Sequence, residues 1–212
     1  MLGVVETFLS LQGESTYAGK PCFFIRLAGC NLDCVYCDSR YAAIPSFTAS
    51  TDELVQMALK HPCRTVEITG GEPLLHQDTP TLCRQLLDAG FTVLVETNGS
   101  CNIDLVPREC VRIMDRKLPD SGMAEFHDNG NYSRLTPADQ VKFVVSGKED
   151  FDFAVSEIKK FSLDKINCEL IVSPVWGKMD FKELAQLVID SALPLRMQLQ
   201  LHKIIWGDIP GV

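Results

Sequence analysis

Cys30, Cys34 and Cys37 lie within eight residues of one another, in the run Ala28-Gly29-Cys30-Asn31-Leu32-Asp33-Cys34-Val35-Tyr36-Cys37-Asp38. This C-x3-C-x2-C spacing lets three thiolates wrap one face of a compact inorganic centre. An ordinary iron–sulfur cluster takes four cysteines, and a structural zinc ion takes four protein ligands. The local run holds no fourth cysteine, so a centre bound here keeps one position open for chemistry. The alternative is a closed zinc site, which has to recruit Cys22, Cys63 or His76 from a distance.

Three further segments set glycine or charge at the end of an apolar run: Thr69-Gly70-Gly71-Glu72-Pro73, Glu96-Thr97-Asn98-Gly99 and Asp115-Arg116-Lys117-Leu118-Pro119. Paired glycines allow close backbone approach to a ligand, or they simply make a turn. Asn-Gly alone signals a turn. The 115–117 charges read equally as a solvated run before a proline turn or as a ligand-facing segment.

The elements that must position these groups alternate along the chain. Strands are expected at 4–8, 22–27, 65–69, 91–96, 111–115, 141–145, 166–172 and 195–201, most of them apolar on both faces. A capping box at Ser50-Thr51-Asp52-Glu53 starts a helix whose apolar face carries Leu54, Val55, Ala58 and Leu59. Thr79 as N-cap, Pro80 at N1 and Gly90 past the end frame a second helix. A third is expected at 151–161 and a fourth at 180–189. Strands alternating with helices predict an α/β fold with a mainly parallel sheet. Residues 118–139 are polar, lack an apolar period and read as a long loop. A complete TIM barrel takes about 250 residues. The 212 present, with two of its helices missing, predict a single domain over 1–212 built as a partial, open TIM-like barrel.

Composition narrows the function. Lys and Arg number 20 against 28 Asp and Glu, a net charge of −8, which argues against sequence-independent nucleic-acid binding. Nine cysteines cannot all pair within the chain. The N-terminus lacks a basic signal region, and no apolar run reaches the roughly 18 residues of a membrane span. A reducing cytoplasm, with no membrane partner, is the expected setting. Cys22, Cys63, Cys83, Cys101, Cys110 and Cys168 then read as small buried hydrophobes.

The triplet followed by Tyr36-Cys37-Asp38 resembles the signature of the radical S-adenosylmethionine (SAM) superfamily. The resemblance implies a [4Fe-4S] cluster on Cys30, Cys34 and Cys37, with SAM on the open iron and cleaved to a 5′-deoxyadenosyl radical. It further implies that Tyr36, Cys37, Asp38, Gly71, Glu96, Asp115, Arg116 and Lys117 bind the cofactor. Phe8-Leu9-Ser10-Leu11-Gln12-Gly13-Glu14-Ser15, Arg26 and the late segment Gln198-Leu199-Gln200-Leu201-His202-Lys203 narrow this. Together they resemble the LQGEG…R…GC…CD[ST] pattern and terminal QxHK stretch of the 7-carboxy-7-deazaguanine synthase family. Ser15 stands where that family commonly has Gly.

This second resemblance implies a lyase that contracts 6-carboxy-5,6,7,8-tetrahydropterin to 7-carboxy-7-deazaguanine with loss of ammonia and regenerates SAM, on the route to queuosine and other 7-deazapurines. Leu11, Gln12, Gly13, Glu14, Arg26, Thr69 and His202 are the implied substrate contacts, and Ser39 the implied Mg²⁺ ligand. Read alone, Arg26 is a strand-end ion pair, His202 a structural histidine and Ser39 a turn residue. A homodimer and an electron donor such as flavodoxin or ferredoxin are the implied partners. The carboxylate of Val212 lies ten residues beyond His202 and is expected to approach the site. The alternatives are another small radical SAM enzyme, such as a glycyl-radical activase, and a non-enzymatic iron–sulfur or zinc module.

Overall fold

The computed structural model describes residues 1–207, 209 and 211. The carboxylate of Val212 therefore lies outside the described residues. One nine-stranded sheet runs in the order β3-β1-β2-β4-β5-β6-β7-β8-β9. Its strands are β1 (Leu2–Leu11), β2 (Pro21–Leu27), β3 (Phe47–Ala49), β4 (Thr65–Gly70), β5 (Thr92–Thr97), β6 (Val111–Arg116), β7 (Gln140–Val145), β8 (Glu169–Pro174) and β9 (Leu195–Met197). From β2 to β9 every neighbouring pair is parallel, while β1 pairs antiparallel with β2 and β3. The strands β3 and β9 end the sheet without meeting, so the barrel is partial and open.

Helices α1 (Thr51–Leu59), α2 (Thr79–Asp88), α3 (Lys148–Phe161) and α4 (Phe181–Ser191) carry crossovers. The β5–β6 and β6–β7 connections contain only 3-10 turns, and these are the two places where a full barrel would have helices. Instead the 118–139 segment lies tied across the outside of the sheet. Asn131 donates to the carbonyls of Gly99 and Cys101 at 3.0 and 2.8 Å, and Tyr132 is buried in the core.

Strand alternation divides the sheet's two faces. Phe23, Ile25, Val66, Ile68, Val93, Val95, Met114, Val141 and Phe143 join the core beneath the helices. The alternate positions, Arg26, Glu67, Thr69, Glu96, Asp115 and Lys142, face a cavity on the concave side. Such alternation is a backbone necessity in a strand, and it decides which of two adjacent charges reaches the site.

Most expected elements form, and the differences have local causes. Ser50 Oγ accepts the Glu53 N–H at 3.2 Å and Glu53 returns the bond, so the capping box is real. The N-cap position of α2 is Asp78, whose side chain makes no capping bond, and the Thr79 hydroxyl instead donates to the Pro73 carbonyl at 2.7 Å. Strand β3 was not expected; three residues are too few to show a period, and it pairs with the start of β1. The expected strand at 166–172 begins later, at Glu169, after a left-handed Asn167 at φ +64°. The expected 195–201 strand stops at Met197, and residues from Leu201 to Trp206 form helix α5. The Gln198 N–H still donates to Val172 O at 2.9 Å, and past it the side chains of Gln198 and Gln200 donate to Ser15 O at 2.7 Å and Glu14 Oε1 at 2.9 Å. His202 accordingly sits on a helix.

Candidate active site

The cavity holds about 800 Å³ at the carboxyl ends of the parallel strands, where such sheets place functional loops. Cys30, Cys34 and Cys37 stand together on its wall, Cys30 exposed, Cys37 half-buried and Cys34 buried. The loop that carries them is pinned by Gly29 N–H to Ala42 O at 2.8 Å, Val35 N–H to Ser121 O at 3.0 Å and Arg40 to Cys34 O at 2.8 Å. All nine cysteines are free thiols, and no other cysteine lines the cavity.

The Gly70-Gly71 pair packs this loop. A Cβ at Gly71 would collide with the Gly29 carbonyl, and the Glu72 N–H donates to that same carbonyl at 2.8 Å. The Glu72 side chain turns inward to accept from Leu74 N, Thr97 Oγ1 and Asn98 N at 2.9, 2.8 and 2.7 Å. One buried carboxylate thus locks the GGEP loop to the ETNG loop. Asn98 in turn donates to Asn31 beside Cys30 at 3.1 Å.

Asp115 and Lys117 project into the cavity and pair at 2.9 Å. Arg116, between them on the strand, points to the opposite face. There it holds Glu157 at 3.1 Å and the carbonyls of Lys117 and Ala124 at 2.6 and 2.7 Å. The expected cofactor role of its side chain is therefore corrected: Arg116 fastens the 118–139 segment. Tyr36 lines the cavity and donates to Val144 O at 3.2 Å, and Asp38 meets Lys203 at 3.5 Å.

Of the expected substrate residues, Gln12, Gly13, Glu14, Arg26, Thr69 and His202 line the cavity; Leu11 does not. Arg26 is already engaged, donating to Glu6 at 2.8 Å with Tyr41 against its guanidinium, so the ion-pair reading holds for its Nε while the side chain still borders the cavity. Gly13 is glycine for a visible reason, since a Cβ there would strike the His202 imidazole, and its carbonyl accepts the Leu201 N–H at 3.0 Å. Burial lowers the pKa of His202 despite the nearby Glu14 and Asp38, favouring the neutral ring.

Two cavity residues escape the sequence reading. Lys142 on β7 reaches Glu14 at 2.6 Å, also bonds Glu96 and lies 3.7 Å from Asp115. Glu67 on β4 accepts from the Gln12 amide. The available signal was a lone charge amid apolar neighbours, in Thr-Val-Glu-Ile-Thr and Val-Lys-Phe-Val-Val. Burial opposes ionisation at both Glu14 and Glu67, with different outcomes. Lys142, Gln200 and His202 bring Glu14 below the ordinary carboxyl range, whereas burial with Glu96 and Glu14 nearby pushes Glu67 well above it. Lys117 and Lys142 likewise outweigh burial to hold Asp115 low.

These residues fit a three-thiolate cluster and an amino-acid-bearing ligand. Among the described residues no three His, Cys, Asp or Glu side chains converge on one metal ion. Cys22 and Cys63 are buried away from the cavity, and His76 Nε2 bonds Ala28 O at 2.7 Å, so none completes a zinc site. Three free thiols on one cavity wall suit an iron–sulfur cluster with one iron left open. Asp115 Oδ1 is buried without a hydrogen-bond partner at the neighbouring wall, as an acceptor awaiting a ligand would be.

The Radical SAM superfamily model matches residues 24–117. The 7-carboxy-7-deazaguanine synthase of Chlorobaculum tepidum is 40% identical over 100% of this chain and 97% of its own. The chain belongs to the 7-carboxy-7-deazaguanine synthase family. The enzyme of that name from Methanospirillum hungatei is 42% identical over 95% of this chain and 84% of its own. In structure, QueE from Escherichia coli superposes with a TM-score of 0.76 at 25% identity, covering 93% of both chains. Membership makes the protein a radical SAM lyase and implies a [4Fe-4S] cluster and SAM.

Proposed function

We propose that this synthase-family protein converts 6-carboxy-5,6,7,8-tetrahydropterin to 7-carboxy-7-deazaguanine and ammonia. One observation carries the reading: the LQGE segment and the late QLHK segment, nearly 190 residues apart, meet at the cavity beside the thiols. Gln200 bonds Glu14 at 2.9 Å and Leu201 bonds Gly13 at 3.0 Å. A glycyl-radical activase has no need of that junction.

A cluster held by Cys30, Cys34 and Cys37, with SAM on it, would supply one-electron and carbon-radical chemistry at C6 of the pterin. The protein's own groups orient and enclose. Glu14, held ionised by Lys142, accepts from the donor-rich aminopyrimidine edge, and Thr69 and neutral His202 complete the substrate wall. The free face of Arg26 suits the pterin carboxylate. Gly71, Glu96, Asp115, Lys117, Tyr36 and Asp38 form the SAM wall. Ser39, whose Oγ lies 3.7 Å from Cys37 Sγ, offers an oxygen to Mg²⁺ beside the substrate carboxylate. The chain acts as one domain, as a homodimer, in the reducing cytoplasm, with a flavodoxin or ferredoxin as donor.

The test is anaerobic turnover of the reconstituted protein with carboxytetrahydropterin, SAM, dithionite and Mg²⁺. Deazaguanine is expected from the wild type and none from Cys34→Ala. SAM cleavage without deazaguanine would remove the substrate assignment.

A further inference from the structure

The Gln12 side chain, expected to read the substrate, is spent inside the protein. Its amide nitrogen donates to Glu67 Oε2, and its oxygen accepts the Glu14 N–H at 3.0 Å. Glu67 lies in the middle of β4, 55 positions away in sequence, 3% exposed at the cavity floor. The Gln12 backbone is fastened as well, exchanging bonds with Lys20 and Gly19 at 2.8 Å each. What the 12–14 segment can still offer a ligand is its backbone and the Glu14 carboxylate. That carboxylate is aimed by Lys142 at 2.6 Å and Gln200 at 2.9 Å.

We propose that Glu67 is a positioning residue for the substrate end of the cavity: by accepting the Gln12 amide it fixes the 12–14 segment, and through it the Glu14 carboxylate. The proposal rests on the pterin reading above for the identity of what Glu14 meets. A free Gln12 amide swings about three side-chain bonds, whereas one held at both ends carries a single orientation into the loop. The charged and titratable groups facing Glu67 are Glu14 from the β1–β2 loop, Cys22 on β2, Glu96 on β5 and Lys142 on β7. Lys142 is the cation among them, and it is committed to Glu14 and Glu96. Burial with those carboxylates nearby favours the neutral acid at Glu67, which accepts from Gln12 without adding a further negative charge to the floor.

Reconstituted holoenzymes of Glu67→Leu, Glu67→Gln, Gln12→Leu and the Gln12→Leu/Glu67→Leu double variant test it. Loss of one buried acceptor is expected to raise KM for carboxytetrahydropterin about 10-fold in Glu67→Leu. KM for SAM and the cluster absorption should stay at wild-type values. Glu67→Gln keeps an acceptor and should stay within about 3-fold of wild type. Because Glu67 acts through Gln12, the double variant should be no worse than Gln12→Leu alone. Amide hydrogen exchange across residues 12–14 reads the same coupling without substrate, and it should quicken in Glu67→Leu and not in Glu67→Gln. Equal effects of Leu and Gln, an additive double variant, or unchanged exchange in Glu67→Leu would overturn the proposal. A wild type that makes no deazaguanine would defeat the substrate reading instead, leaving the exchange comparison to decide Glu67.

Discussion

Two groups of buried charge sit on opposite faces of the same sheet. On the outer face Arg112 gives Nε and Nη2 to Asp139, a further Nη2 bond to Arg134 O at 2.8 Å, and Nη1 to Ile103 O at 3.4 Å. Asp139 also accepts from Thr136 at 2.7 and 2.9 Å. Arg116 is matched as fully by Glu157, two carbonyls and the Phe153 ring, with Tyr132 donating to Glu157 at 3.1 Å. On the inner face Glu14, Glu96 and Asp115 share the two ammoniums of Lys117 and Lys142, a fourth carboxyl, Glu67, meets the Gln12 amide, and one Asp115 oxygen has no partner. A buried charge left unmatched costs free energy, so a partnerless carboxylate oxygen in a cavity wall suits a ligand that completes it. The matched arginines of the outer face mark structure, and the carboxyl surplus of the inner face marks a binding site.

The strongest way to break this contrast is Lys142→Met. It leaves Glu14 and Glu96 facing each other without their shared cation, and an unpaired buried charge costs about 3–5 kcal/mol. Turnover should fall about 1000-fold, close to 4 kcal/mol, in anaerobic kcat/KM measurements. Retained turnover would mean that the inner charges are as idle in catalysis as the outer ones. The complement is Arg112→Met. Unfolding free energy from urea titration should drop by about 3 kcal/mol, with kcat of the folded fraction within about 2-fold of wild type. A selective loss of kcat there would deny the outer face its purely structural role.

The contrast also explains what could be read from sequence. The cluster loop was legible because its three ligands are one residue type at fixed local spacing. The strands were legible because burial on both faces writes an apolar run. Asp115-Arg116-Lys117 reads as one patch of charge, yet alternation sends Arg116 to the outer face and its neighbours to the cavity. The partners of Lys142 and Glu67 lie 128, 46 and 55 positions away, beyond any local pattern. The end of β9 was hidden for the same reason, since the side chains of Gln198 and Gln200 bond residues at the other end of the chain.

A smaller effect sharpens the inner face. Asp115→Asn keeps the shape but removes the charge beside Lys117 and changes what the free oxygen position offers. Its predicted consequence is about 10- to 50-fold weaker SAM binding by anaerobic titration, or roughly 1.4–2.3 kcal/mol, with little change in melting temperature. Unaltered SAM affinity would show that the unpartnered oxygen serves some other ligand.

The smallest effect separates the two signs of pKa shift within the inner group. Burial, reinforced by Glu96 and Glu14, raises the Glu67 carboxyl well above its usual value. An acid raised in the folded state binds more protons folded than unfolded. Its contribution to stability is therefore greatest below the unfolded value, about 4.3, and declines as pH rises toward the folded value. Glu14 and Asp115 carry the opposite sign: burial is overcome by their lysines, so their contribution is present above the unfolded values and lost as pH falls through the folded ones. Glu67→Gln removes only the declining limb. Melting temperatures measured from about pH 4 to pH 8 should show the variant gaining on the wild type as pH rises, each tenfold of altered ionisation being worth about 1.4 kcal/mol. A difference that did not vary with pH would place Glu67 among matched charges, like Asp139, and would take it out of the surplus that defines the cavity.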